Sequence, residues 1–268
     1  MNMQNLEFGI LFPAFLAGML VLATHVPLGQ QVLNRGIVFI DLAIAQVAGL
    51  GVTAASALGF EAEGWRVQAA AVGAALIGAL VLTWTEKIWP EVQEALIGVL
   101  FVVAACVELL ILANNPQGGE HLKDLLVGQI LWVQPQQLIP IAALYAVALL
   151  AWFTVRKWLG QIGFYILFAL VVTQSVQLVG IYLVFASLIV PALAAKRFAE
   201  PLRLFVGYAV GVVGYVSGLV ASSIFDLPTG AVIVVTLLAT MVVTSLLALA
   251  LPKGARAAPA GAMAHAAE

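Results

Sequence analysis

Nine runs of mainly apolar residues follow one another along this chain, joined by short polar connections. A helix needs about 20 such residues to cross the hydrocarbon core of a bilayer. A membrane β-barrel would alternate apolar and polar residues, whereas these runs are apolar on all faces. The pattern predicts an all-α, polytopic transmembrane bundle with helices at 8–24, 36–58, 67–85, 95–113, 138–155, 164–179, 180–195, 204–224 and 230–251.

The composition supports this class of protein. Hydrophobic residues make up 63% of the 268 residues and charged residues only 9%, against the roughly 25% charged residues of a soluble domain. We therefore predict one integral membrane domain at 1–251, surrounded by membrane lipids and with no nucleic-acid partner. The Ala/Gly/Pro-rich residues 252–268 are predicted to form a disordered cytoplasmic tail.

The stretch 180–197, GIYLVFASLIVPALAAKR, decides the number of helices. It directly follows the sixth run, and the two as one helix would be about 48 Å long, well beyond a bilayer core of about 30 Å. A turn at Gly180 is the simpler interpretation and gives nine helices. One long helix, and therefore eight helices, is the alternative. Pro191 is acceptable inside such a helix when neighbouring groups satisfy the carbonyl that it leaves free.

The positions of the cations predict the orientation. With nine helices and the N-terminus outside, only Arg66 and Lys123 fall in outer segments. This distribution follows the positive-inside rule and predicts a cytoplasmic C-terminus. The inner segments hold the other nine cations, Arg35, Lys87, Arg156, Lys157, Lys196, Arg197, Arg203, Lys253 and Arg256.

Two carboxylates inside the predicted helices are candidates for a cation path. Asp41 lies near the start of the second helix and Glu108 in the outer half of the fourth. Acids within a membrane are costly and usually face the bundle interior or a wet cavity. Asp41 is equally consistent with an acid stabilised by the helix dipole, and Glu108 with a buried, hydrogen-bonded acid. Gln46, Gln174 and Gln177 are further path candidates, although amides between membrane helices often serve only to join them.

The outer loop 114–124 offers one more candidate metal ligand, His121, beside Glu120 and Asp124. Imidazole and carboxylate together suit a transition metal, but this group alone does not complete a site, and a solvated loop is the alternative. The chain has no Walker-type phosphate loop, no paired-cysteine site and no HExxH motif. We therefore do not expect an enzyme that works on its own, nor a covalently bound cofactor; the family resemblance described next implies a transport subunit instead.

Several segments, taken in order, resemble the membrane permeases of bacterial zinc/manganese ABC importers. The first helix and the following turn at 11–36 are similar to that family, as are EALIG at 94–98 and LVGQILWVQPQQL at 126–138. The C-terminal segments 179–199 and 226–235 resemble its most recognisable block. These two segments contain the residues to which we assign a structural role, Gly180, Pro191, Pro228 and Gly230.

The resemblance implies a homodimer in the bacterial inner membrane that lines a path for Zn²⁺ or Mn²⁺. It also implies a separate cytoplasmic ATPase subunit and an extracytoplasmic metal-binding protein as partners. Asp41, Glu108 and His121 are then the candidate metal ligands of this chain.

The chain departs from the family at two places. The family has Asp-x-x-x-His on its second helix, where this chain has Leu42 and Gln46, with Asp41 displaced by one residue. The large cytoplasmic loop before the sixth helix, which carries the ATPase-docking helix, is reduced here to residues 156–163. Two alternatives therefore stand beside the ABC permease: an ATPase-independent cation transporter or channel, and a non-transporting membrane partner.

Overall fold

The computed structural model describes residues 8–60, 64–112 and 126–250, with the side chains of 155–159 excepted. This part of the chain is all helical and contains no strand. The helical segment Pro135–Val179 is broken at Gly160, which has φ 57° and ψ −153°, and we number its two parts separately. The nine helices are α1 (Phe8–Arg35), α2 (Ile40–Ala57), α3 (Trp65–Ile88), α4 (Gln93–Leu112), α5 (Pro135–Thr154), α6 (Gly160–Val179), α7 (Ile181–Ala195), α8 (Glu200–Phe225) and α9 (Thr229–Ala250).

The nine predicted helices are confirmed, and eight of them are long and apolar enough to cross a membrane. The predicted tail at 252–268 lies outside the described residues. The largest difference in length is in α1, which continues to Arg35 rather than ending at residue 24. Pro27 lies inside this extension and has no N–H for the carbonyl of Ala23, four residues earlier. The Tyr208 hydroxyl of α8 donates to that carbonyl at 3.0 Å, so a side chain from another helix replaces the missing bond.

The break at Gly180 is also confirmed, because α6 ends at Val179 and α7 begins at Ile181. Gly180 has φ 82°, a backbone conformation that is open mainly to glycine. A Cβ there would also overlap the backbone of Gly128. Only glycine therefore fits at this point of the chain.

The helix after this break, α7, has 15 residues and is about 22 Å long, which is shorter than a bilayer core of about 30 Å. The segment 126–133, with a 3₁₀ turn at Ile130–Trp132, packs its backbone against the start of α7. Ile130 is only 2% exposed. Irregular backbone at membrane depth is tolerated where protein covers it, and Ile130 and Val133 anchor this segment in the protein while Trp132 is exposed.

Contacts between helix ends show that successive helices run in opposite directions. The Phe39 N–H at the start of α2 donates to Glu94 at the start of α4, so α2 and α4 start at the same end of the bundle. The guanidinium of Arg35 at the end of α1 lies over the ring of Phe164 near the start of α6, so α1 ends at the level where α6 begins. The end of the bundle that carries Arg35, Lys87, Lys196, Arg197 and Arg203 is called the basic end below. Arg66, at the start of α3, lies at the opposite end.

Burial separates the helices into an inner and an outer group. Most residues of the α2 and α6 spans are buried inside the protein, whereas α4, α5 and α9 are buried over only a small part of their surface. Within the described backbone no additional helix stands between α5 and α6, since Pro135–Val179 is helical apart from the break at Gly160. The predicted short connection is therefore present.

Candidate functional site

Glu108 lies in the interior of the bundle, where two side chains from α2 bind it. The residue is 1% exposed. Its Oε2 accepts a hydrogen bond from Nε2 of Gln46, and its Oε1 accepts one from the Thr53 hydroxyl at 2.7 Å. The structure thus brings together two of the predicted path residues, Gln46 and Glu108, with each carboxylate oxygen bound to a different donor.

This arrangement follows from the spacing of residues along two parallel helices. Gln46 and Thr53 are seven residues apart, which places them on one face of α2 two turns apart. The helices α2 and α4 start side by side, as the bond between Phe39 and Glu94 shows. Because they run in the same direction, Glu108 reaches the level between Gln46 and Thr53.

A cavity of about 550 Å³ adjoins this group, between α2, α4, α7 and α9. Among the described residues, Gln46 is the only amide or charged residue on its wall, and Glu108 lies behind Gln46 without reaching the wall itself. The other lining residues are apolar or aromatic: Leu42, Phe101, Ala105, Leu109, Leu126, Ile181, Tyr182, Phe185, Ala186, Val190, Val234 and Leu238.

Asp41 is as deeply buried as Glu108 but has a different environment. It lies in the first turn of α2 and is 1% exposed. Neither of its carboxyl oxygens has a hydrogen-bond partner, although Glu94 is near enough for the two acids to interact electrostatically. Asp41 does not line the cavity beside Gln46, so the structure separates it from the Glu108 group.

The remaining predicted path residues are not brought to this cavity. Gln174 is half-buried and Gln177 is exposed on α6, and neither lines the cavity. His121 lies outside the described residues. Among the residues that the structure describes, no group of three or more His, Cys, Asp or Glu side chains could hold a metal ion.

The four residues assigned a structural role lie at close contacts or helix boundaries. Pro191 is buried inside α7, beside Ser187, whose hydroxyl contacts Leu183 and Tyr215. Pro228 is exposed before α9, and its carbonyl accepts the Val232 N–H. A Cβ at Gly230 would come within 2.5 Å of the Val127 carbonyl oxygen, so this glycine, like Gly180, lets the segment 126–133 approach the helices.

Sequence reasoning missed several buried polar residues, of which Thr53 and His25 bear on the site. Thr53 could have been found from its seven-residue spacing to Gln46. His25 in α1 is fully buried, with Nδ1 2.9 Å from the Val21 carbonyl oxygen and 3.1 Å from the Thr24 hydroxyl. Its Nε2 has no partner. The apolar run around it gives no sign of this burial.

Chemically, the wall of the cavity presents the amide of Gln46, and the carboxylate of Glu108 lies behind it, bound to Gln46 and Thr53. Oxygen donors of this kind suit hard cations such as Mg²⁺, Ca²⁺ and Mn²⁺, whereas imidazole and thiolate suit Zn²⁺. Among the residues that the structure describes, no histidine or cysteine lines the cavity. The group is therefore a set of oxygen donors beside the cavity rather than a complete, preformed metal site.

Comparisons with known proteins agree with this architecture. The chain is 28% identical over 251 residues to the high-affinity zinc uptake system membrane protein ZnuB of Haemophilus influenzae, covering 85% of this chain and 94% of that protein. It is 21% identical over 188 residues to a probable metal transport system membrane protein of Chlamydia trachomatis, covering 62% and 64% of the two chains.

A solved structure shares the fold. PsaBC from Streptococcus pneumoniae in complex with Fab superposes with a TM-score of 0.72 at 21% identity, covering 89% of this chain and 91% of that one. At this level of identity the likeness establishes the fold alone.

The family comparison covers nearly the whole chain. The model of the ABC 3 transport family matches residues 7–164 and 158–248. The two matched segments overlap at 158–164, where α5 gives way to α6 at Gly160. Together they cover most of the chain, which belongs to the ABC 3 transport family.

Proposed function

We propose that this chain is the membrane-spanning permease subunit of an ABC importer for a divalent metal cation, manganese or zinc, in the bacterial inner membrane. The observation that carries the proposal is the buried Glu108 group beside the cavity, in a chain of the ABC 3 transport family. A buried ionisable residue facing a bundle interior marks an ion path. The names of the relatives, which refer to zinc uptake and metal transport, agree with this proposal.

Two copies of the chain form the path in the proposed assembly, with the basic end in the cytoplasm. A cytoplasmic ATPase subunit supplies the energy, and an extracytoplasmic binding protein delivers the metal. Five cations at one end of the described bundle, against Arg66 at the other, support this orientation under the positive-inside rule.

Among the two metals, the site supports manganese better. Glu108 and Gln46 provide oxygen ligands, and no described residue of the cavity wall supplies the imidazole that suits Zn²⁺. The proposed role of Glu108 is to compensate the charge of the passing cation, while Gln46 and Thr53 hold its carboxylate in place. Asp41 is the second acid of the proposed path, nearer the basic end.

The test is uptake of Mn²⁺ and Zn²⁺ into proteoliposomes that contain the chain with its ATPase subunit and binding protein. Glu108→Gln removes the charge with little change of shape, and we expect Mn²⁺ uptake to fall about tenfold, as for the loss of one charge-assisted contact. Glu91→Gln, at an exposed acid before α4, is the matched control and should transport normally. Normal uptake by the Glu108→Gln protein would contradict the proposed path.

A second candidate is an ATPase-independent cation transporter on the same scaffold. The specific observation in its favour is the short α5–α6 connection, which has no additional helix to dock on an ATPase. The same proteoliposomes decide between the two. Mn²⁺ flux down its gradient without ATP would favour this candidate, whereas uptake that needs both ATP and the ATPase subunit would exclude it.

A further inference from the structure

A second cavity lies at the basic end, on different helices from the Glu108 group. It has a volume of about 150 Å³ and lies between the ends of α1, α5 and α7 and the start of α8. The cations Lys196 and Arg203 both line it, together with the carboxylate of Glu200. Two cations against one carboxylate leave the wall with a net positive charge.

Neutral donors on α1 add to this positive wall. Gln30 and Asn34 line the cavity, and the buried Nε2 of Gln30 has no hydrogen-bond acceptor. Arg203 is held in position, because its Nε donates to the Phe198 carbonyl at 3.1 Å. The cavity therefore combines held positive charge with an unused amide donor, which is the environment that a phosphate oxygen requires.

The border of the cavity is apolar and faces outward from the bundle. Phe153 at the end of α5 is 63% exposed and Leu204 in the first turns of α8 is 36% exposed. In a protein whose helices cross the membrane, such residues at a helix end contact lipid at the level where the headgroups begin. An anion in this cavity would have acyl chains immediately beside it.

We propose that this cavity binds the phosphate headgroup of an anionic phospholipid. Basic pockets between membrane helices are a known setting for anionic headgroups. A helix of a protein partner is about 10 Å across with its side chains and does not fit a cavity of about 150 Å³. The proposal is independent of the transported ion and of ATPase coupling.

Native mass spectrometry of the purified full chain tests the proposal. The chain is titrated with phosphatidylglycerol, with phosphatidylcholine of the same acyl chains, and with inorganic phosphate in excess. We expect phosphatidylglycerol to bind more tightly than phosphatidylcholine and to resist displacement by inorganic phosphate. Equal binding of the two lipids, or full displacement of lipid by inorganic phosphate, would overturn the proposal.

Charge variants link the binding to this cavity. Lys196→Ala and Arg203→Ala should each weaken phosphatidylglycerol binding about fivefold. Glu200→Gln should strengthen it by a similar factor, because it removes the one carboxylate among the described residues that line the cavity. Arg66→Ala, at the opposite end of the bundle, is the matched control and should bind as the unmodified chain does.

The alanine variants and Glu200→Gln are expected to change the lipid affinity in opposite directions, so the test does not depend on one variant alone. If the alanine variants fail to fold, Glu200→Gln still gives a result, since a merely structural role of Glu200 predicts no tighter binding. Unchanged affinity in Glu200→Gln would overturn the assignment. So would alanine variants that keep lipid affinity but lose a co-purifying protein subunit, because the cavity would then be a protein contact.

Discussion

Glu108 and Asp41 are equally buried, yet their carboxyl groups differ in hydrogen bonding and in surroundings. Each oxygen of Glu108 accepts a hydrogen bond from α2, whereas neither oxygen of Asp41 has a partner. Glu108 sits beside a cavity between four helices, and Asp41 lies in the first turn of its own helix. The difference teaches that burial alone does not mark the site in this bundle.

The two environments have different energetic consequences. Removing Glu108 leaves the amide of Gln46 and the hydroxyl of Thr53 without an acceptor in the interior, and such orphaned donors cost free energy. Among the described residues, the carboxyl of Asp41 has only the backbone N–H groups of Asp41 and Leu42 as nearby donors, so removing its charge breaks no hydrogen bond to another helix. Three substitutions can therefore break or sharpen the comparison, and they are given from the largest expected effect to the smallest.

Glu108→Ala should lower the free energy of unfolding by about 2 kcal/mol, because two buried donors lose their acceptor. Equilibrium unfolding in mixed detergent micelles measures the change, with Glu91→Ala at an exposed acid as the control. A Glu108→Ala protein as stable as the control would mean that the bonds to Gln46 and Thr53 do not hold α2 and α4 together.

Asp41→Asn should leave the free energy of unfolding unchanged or raise it by up to about 1 kcal/mol, since an isosteric amide removes an unpartnered buried carboxyl. The same unfolding assay gives the answer. A loss of stability would instead show that the carboxylate stabilises α2 through the helix dipole, an effect of about 0.3–1 kcal/mol.

Thr53→Val should lower the free energy of unfolding by about 0.6 kcal/mol, the average for one hydrogen bond between membrane helices. Valine keeps the shape and removes only the hydroxyl that donates to Glu108. Combining it with Glu108→Ala makes a double-mutant cycle. Strictly additive losses would show that the 2.7 Å contact contributes no stability.

The fold was accessible from the sequence because apolar run length and the position of glycine decide most helix ends. The extension of α1 past residue 24 could not be predicted from the sequence, since Pro27 disfavours a helix unless another part of the chain satisfies the Ala23 carbonyl. That partner, Tyr208, is 185 residues away, and no local pattern reveals it.

The candidate site was predictable in part. Glu108 and Gln46 stand out as polar residues in apolar runs. Gln46 is five residues after Asp41 on α2, a spacing that does not align the two on one face, and this agrees with the separation of Asp41 from the cavity. The direct contact between Glu108 and Gln46 could not be foreseen, because it requires α2 and α4 to pack side by side in the same direction. Gln177 is exposed on α6 in the single chain, and its predicted place on a path stays a prediction.

The bond from Tyr208 to the Ala23 carbonyl has a consequence for the history of the family. Pro27 leaves the Ala23 carbonyl without a backbone N–H partner, and the Tyr208 hydroxyl supplies the replacement bond. In a helix without the proline, the backbone N–H of residue 27 would satisfy this carbonyl, and the hydroxyl at position 208 would lose that role. The two positions should therefore change together among relatives of this chain. A lineage that loses Pro27 is expected to replace Tyr208 by phenylalanine or an aliphatic residue, which an alignment of close relatives can check.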